Sequence, residues 1–170
     1  PTEDVAQTVN QILELEREGC QIVRLAIPTQ EAAIAVKEIK KKVNIPLVAD
    51  IHFNHILALE VMKNGIDALR INPGNIGGEE KVKAVIRMAK EKKIPIRIGV
   101  NGGSLDKKVL SEDRTVVESM IQSALEHISI LEKMDFYDIV VSLKASDIFR
   151  SIEAYTRFSE ISSYPLHLGI

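Results

Sequence analysis

A single cysteine, Cys20, no tryptophan and a 4% aromatic content are the first constraints on this chain. One cysteine excludes an internal disulfide and any thiolate metal cluster built by these residues alone, and it fits a reducing, cytoplasmic setting. An excess of charge of either sign is also missing. A net charge of -2 leaves no basic excess to displace counterions from a nucleic acid. No apolar run approaches the roughly 20 residues that cross a bilayer, so a membrane-spanning role is excluded as well. What remains is a 170-residue, 45% hydrophobic sequence, enough to bury one globular core.

Short apolar runs alternate with amphipathic stretches along the whole chain. Thr2 is expected to cap a first helix with Val5, Val9, Ile12 and Leu13 inward and Gly19 as its stop. Strands follow at 21–27, 45–51, 67–71, 94–100 and 138–143, with a last one beginning at Leu166. Between them the 3.6-residue period predicts helices, among them one from His55 to Lys63 closed by Asn64-Gly65. Another opens on Thr115 and Glu118 at capping-box spacing. Strand, helix, strand in this rhythm requires an α/β fold with a parallel sheet covered by helices.

Polar residues then separate a closed barrel from an open sheet. Arg24, Asp50, Arg70, Asn72, Arg97, Asn101, Ser142 and Lys144 all fall near the C-terminal ends of five successive strands. That distribution describes the mouth of a (β/α)8 TIM barrel, present here with about six strands, whereas an open sheet gathers ligand groups at one switch point. Arg24, Arg70, Arg97 and Lys144 would converge there with Asp50 as the main nearby carboxylate. Unpaired cations in a partly dehydrated cavity are costly, so the cavity is expected to take a polyanion, best a phosphate or diphosphate. Asn72-Pro73-Gly74-Asn75-Ile76-Gly77-Gly78, just ahead of a helix at Glu79, adds a candidate backbone cradle for anions. Gly102-Gly103-Ser104 forms either a second nest or a simple turn. Asp50 and His52 share a face and are either two metal ligands or, the reading preferred, a hydrogen-bonded pair orienting a substrate hydroxyl. Lys144 suits a Schiff-base nucleophile or a phosphate clamp, and the neighbouring arginines favour the clamp. His167 reads equally as a site residue or a structural one.

Six segments in this order resemble the 4-hydroxy-3-methylbut-2-enyl diphosphate synthases. They are Ile22-Val23-Arg24, Val48-Ala49-Asp50-Ile51-His52-Phe53, the stretch from Leu69 to Gly77, the stretch from Pro95 to Leu105, Ser142 to Asp147, and Tyr164 to Gly169. The resemblance implies an iron-sulfur oxidoreductase of the non-mevalonate (MEP) isoprenoid pathway, acting on CH or CH2 groups. Such an enzyme reductively opens 2-C-methyl-D-erythritol 2,4-cyclodiphosphate. It further implies a barrel that holds substrate and a C-terminal domain with a 4Fe-4S cluster on three cysteines and a glutamate. A homodimer joins the barrel of one chain to the cluster of the other, and flavodoxin or ferredoxin donates electrons. By motif, Arg24, Arg70, Arg97 and Lys144 would bind the diphosphate with Asn72, Asn101 and Ser104. Asp50 and His52 would lie near the carbon skeleton, and His167 beside them. On this reading residues 1–170 are a partial barrel, strands two to seven, binding no cofactor and inactive alone. Two other classes fit the residues: an aldolase on a phosphorylated sugar using Lys144, and a pterin-synthase-like or non-catalytic phosphate-binding barrel.

Overall fold

The computed structural model describes residues 1–102 and 115–169. The chain divides into two compact units, Pro1–Ile96 and Arg97–Ile170.

In the first unit, α1 (Val5–Arg17), α2 (Gln30–Lys40), α3 (His55–Lys63), α4 (Pro73–Ile76) and α5 (Glu79–Lys92) alternate with β1 (Val23–Ala26), β2 (Leu47–Ile51) and β3 (Ala68–Ile71). The three strands are parallel in the order β1-β2-β3. Period-two alternation explains their two faces. Leu47, Ala49 and Ile51 of β2, with Leu69 and Ile71 of β3, point to the helices and are fully buried. Ala32, Ala33, Val36 and Ile39 of α2 are fully buried as well. The opposite face of the strands carries Arg24, Asp50 and Arg70. Register puts Ala26 opposite Asp50, and Asp50 opposite Arg70.

Thr29 caps α2, its hydroxyl accepting from Ala32 N–H. The cap of α1 is Asp4 rather than Thr2: Asp4 Oδ1 accepts from Gln7 N–H at 3.0 Å. Thr2 instead donates to Ala26 O at 2.7 Å, tying the chain's start to the end of β1. A carboxylate at an N-cap also complements the helix dipole, which a threonine cannot do.

In the second unit, β4 (Ile96–Asn101) lies beside β5 (Ile139–Lys144), and α6 (Val116–Glu132) packs on α7 (Ile148–Ile161). Thr115 and Glu118 close a full capping box at the start of α6. Glu118 then also meets Arg157 of α7 at 3.3 Å. The described residues contain five strands where six were expected. At Leu166 only an isolated parallel bridge to Val141 forms. Among the described residues no helix is long and apolar enough to cross a membrane.

His127 of α6 has its Nδ1 buried without a hydrogen-bond partner. Burial holds its pKa below the usual histidine value of 6.5, and Glu126 opposes that shift only in part. The folded chain therefore takes up this proton less readily than the unfolded one. This contribution to stability is intact above the unfolded value and is lost as pH falls below it toward the folded one. Urea midpoints are expected to drop between about pH 7 and pH 5.5, and His127→Gln should flatten that slope. Equal slopes in the two proteins would contradict the assignment.

Candidate active site

Asp50 is the centre of the first unit's strand ends. It is 5% exposed, and its two oxygens are divided between two guanidinium groups. Arg70 Nη1 donates to Oδ1 at 3.0 Å from the adjacent β3, where the register sets the two residues side by side. Arg24 Nη1 reaches Oδ2 at 3.3 Å from β1, rising from its own partner Val48 toward the strand's C-terminal end. Arg70 is buried, whereas the Arg24 side chain is 52% exposed. One carboxylate therefore serves two cations, and the cluster keeps one net positive charge. Asp50 holds both forks in place, and an anion of matching shape can take the donors it leaves free.

The expected Asp50–His52 hydrogen bond does not form. His52 Nε2 lies 3.7 Å from Oδ2, beyond hydrogen-bonding range, because the carboxylate is committed to the arginines. The imidazole is half exposed and leans on the Phe53 ring, centroids 5.9 Å apart at 36°. No group of three or more His, Cys, Asp or Glu side chains that could hold a metal occurs among the described residues.

In the glycine loop two amides turn inward. Asn72 Oδ1 accepts from Gly74 N–H at 3.1 Å, and Asn72 O accepts from Asn75 N–H at 2.9 Å, forming the single turn α4. Those amides are spent inside the turn. The N-terminus of α5 carries Glu79 and Glu80, both bridged by Lys83, so its positive pole is already complemented. With its amide oxygen turned to Gly74, Asn72 directs its NH2 the other way.

In the second unit Arg97 and Asn101 share one face of β4, two residues either side of Gly99, and both are half-buried. Ser142 and Lys144 share the corresponding face of β5. His167 is exposed, and its backbone N–H donates to Val141 O at 2.8 Å. Ser104 and Gly103 lie outside the described residues. Sequence reasoning passed over Ser151, whose hydroxyl accepts from Ala145 N–H at 3.1 Å and lies 3.2 Å from both Ala145 O and Asp147 O. Its signal was available: a polar residue on the buried stripe of an amphipathic helix, one turn before Tyr155.

A family model described as the GcpE TIM-barrel domain matches residues 1–170. The chain belongs to that family. GcpE relatives called 4-hydroxy-3-methylbut-2-en-1-yl diphosphate synthase (flavodoxin) include one from Lysinibacillus sphaericus, 58% identical over 170 residues, or 99% of this chain and 46% of that protein. Another, from Fusobacterium nucleatum, is 57% identical over 168 residues, covering 98% and 48%. The chain spans about half the length of the curated GcpE relatives it matches. Among solved structures, dihydropteroate synthase from Coxiella burnetii superposes with a TM-score of 0.72 at 14% identity over 96% of this chain and 65% of that one. The Yersinia pestis enzyme gives 0.71 at 10%, with the same coverage of each chain. At such identity the likeness speaks for the GcpE barrel fold alone.

Proposed function

We propose that this chain is the substrate-binding part of a 4-hydroxy-3-methylbut-2-enyl diphosphate synthase and that it grips 2-C-methyl-D-erythritol 2,4-cyclodiphosphate. The observation that carries the reading is the Arg24–Asp50–Arg70 cluster, two guanidiniums on one carboxylate at neighbouring strand ends, in a chain whose relatives bear that enzyme's name. Arg24 and Arg70 would offer their remaining N–H donors to the diphosphate, and Asn72 would add an amide. On the family resemblance, Arg97, Asn101, Ser104, Lys144 and His167 are proposed as further substrate-binding residues. Asp50 acts by holding the arginines, while His52 and Phe53 are available to the carbon skeleton.

The 4Fe-4S cluster implied by the resemblance does not fit the residues of this chain. The one cysteine, Cys20, lies before the start of β1, away from the strand's C-terminal end, and its thiol contacts Ile22 O at 3.1 Å. The residues of this chain are accordingly given the task of binding and orienting the substrate, not of holding the cluster.

Calorimetric titration of the purified chain with the cyclodiphosphate tests this. Binding that weakens steeply with salt, with no turnover on addition of reduced flavodoxin, is expected. Preference for a pterin over the cyclodiphosphate, or borohydride trapping of a phosphorylated sugar on Lys144, would replace the reading with one of its alternatives.

A further inference from the structure

The second unit contains an interruption in its hydrogen-bond ladder that the site assignments leave unused. Val141 N–H donates to Pro165 O at 2.9 Å, and His167 N–H donates to Val141 O at 2.8 Å, the ordinary alternation of a parallel pair. Continued by one step, the ladder would join Leu143 N–H to His167 O. A side chain from α7 occupies that step instead. Tyr155 Oη accepts from Leu143 N–H at 3.1 Å and donates to His167 O at 2.8 Å, with Ser142 Oγ at 3.4 Å. The ring is 9% exposed, so the hydroxyl is fixed from behind by the helix.

A phenol standing between two ladder groups holds the backbones apart by about one oxygen. The separation occurs at the C-terminal end of β5, where Lys144 emerges. Just past it the chain reaches Gly169, and the Lys144 side chain lies over that residue: a Cβ built there would be 2.8 Å from Lys144 Cε and 3.1 Å from Nζ. Ser151, one turn before Tyr155, pins Ala145 on the other side of Lys144.

We infer that Tyr155 is a positioning residue for the substrate site: its hydroxyl parts β5 from the 166–169 segment and thereby seats the Lys144 ammonium across Gly169. The inference rests on the assignment of Lys144 to the diphosphate. Without the hydroxyl the ladder closes onto His167 O, the Gly169 backbone moves toward β5, and the lysine loses its seat. Burial of the ring is kept in phenylalanine, so the change separates positioning from packing.

The test uses the full-length gene product with the cyclodiphosphate and reduced flavodoxin, comparing Tyr155→Phe, Lys144→Ala, the double variant and Gly169→Ala. Tyr155→Phe is expected to raise KM about tenfold with a much smaller change in kcat, and the double variant should be no worse than Lys144→Ala alone. Gly169→Ala drives a methyl group into the lysine and leaves the tyrosine untouched. It should raise KM in the same direction, and it carries the test if Tyr155→Phe does not fold. A normal KM in Tyr155→Phe, or fully additive losses in the double variant, with Lys144→Ala impaired, would overturn the positioning role alone. A normal KM in Lys144→Ala would overturn both this role and the assignment beneath it.

Discussion

Replacing Asp50 with alanine is expected to destabilise the first unit by about 3–5 kcal/mol, the range for removing one partner of a buried ion pair. Arg70 is the reason. Its side chain is 10% exposed, and its Nη1 depends on Asp50 Oδ1. Arg24, half exposed, can rehydrate and adds little to the cost. Asp50→Asn should fall between the two, since an amide oxygen still accepts one hydrogen bond but no longer balances the second cation. Urea denaturation of all three proteins checks this. An alanine variant within about 0.5 kcal/mol of the parent would show that Arg70 finds another acceptor and that Asp50 anchors nothing.

Arg24→Met is the complementary case, large in function and small in stability. The stem of methionine retains much of the apolar contact, Asp50 keeps Arg70, and only an exposed fork is lost. A charge-assisted hydrogen bond to an anion contributes about 1.5–3 kcal/mol, so KM for the cyclodiphosphate in the full-length product should rise roughly 10- to 100-fold with little change in unfolding midpoint. If instead stability falls and KM holds, Arg24 is a structural partner of Asp50 and the first unit offers only Arg70 to a ligand. The two variants together distinguish a cluster that stores positive charge for a ligand from one that merely neutralises a buried acid.

How far the sequence carried can be judged on particular elements. The bounds of α3 at His55 and Lys63 and the Thr115–Glu118 box were legible, because capping is a local transaction between residues two or three apart. The facing of Arg24, Asp50 and Arg70 was legible too, since strand alternation is fixed by backbone geometry. Missed were the Asp4 cap, where Thr2 two positions earlier competes, and the reduction of the last strand to a bridge at Leu166. The division of one carboxylate between two arginines was missed for a different reason: it depends on strand register, which sets Asp50 beside Arg70 and one step above Arg24.

By itself the sequence determined the α/β alternation, the barrel family and the positions of the cationic strand-end residues, because each follows from periodicity or from motifs read within a few residues. Tertiary structure alone decided which of those residues share a partner, that Asn72 closes a turn, and that a tyrosine from α7 stands in the ladder between Leu143 and His167. The shared carboxylate and the tyrosine join residues 12 to 26 positions apart, which only the packing of separate elements brings within reach, whereas the Asn72 turn closes over two and three residues.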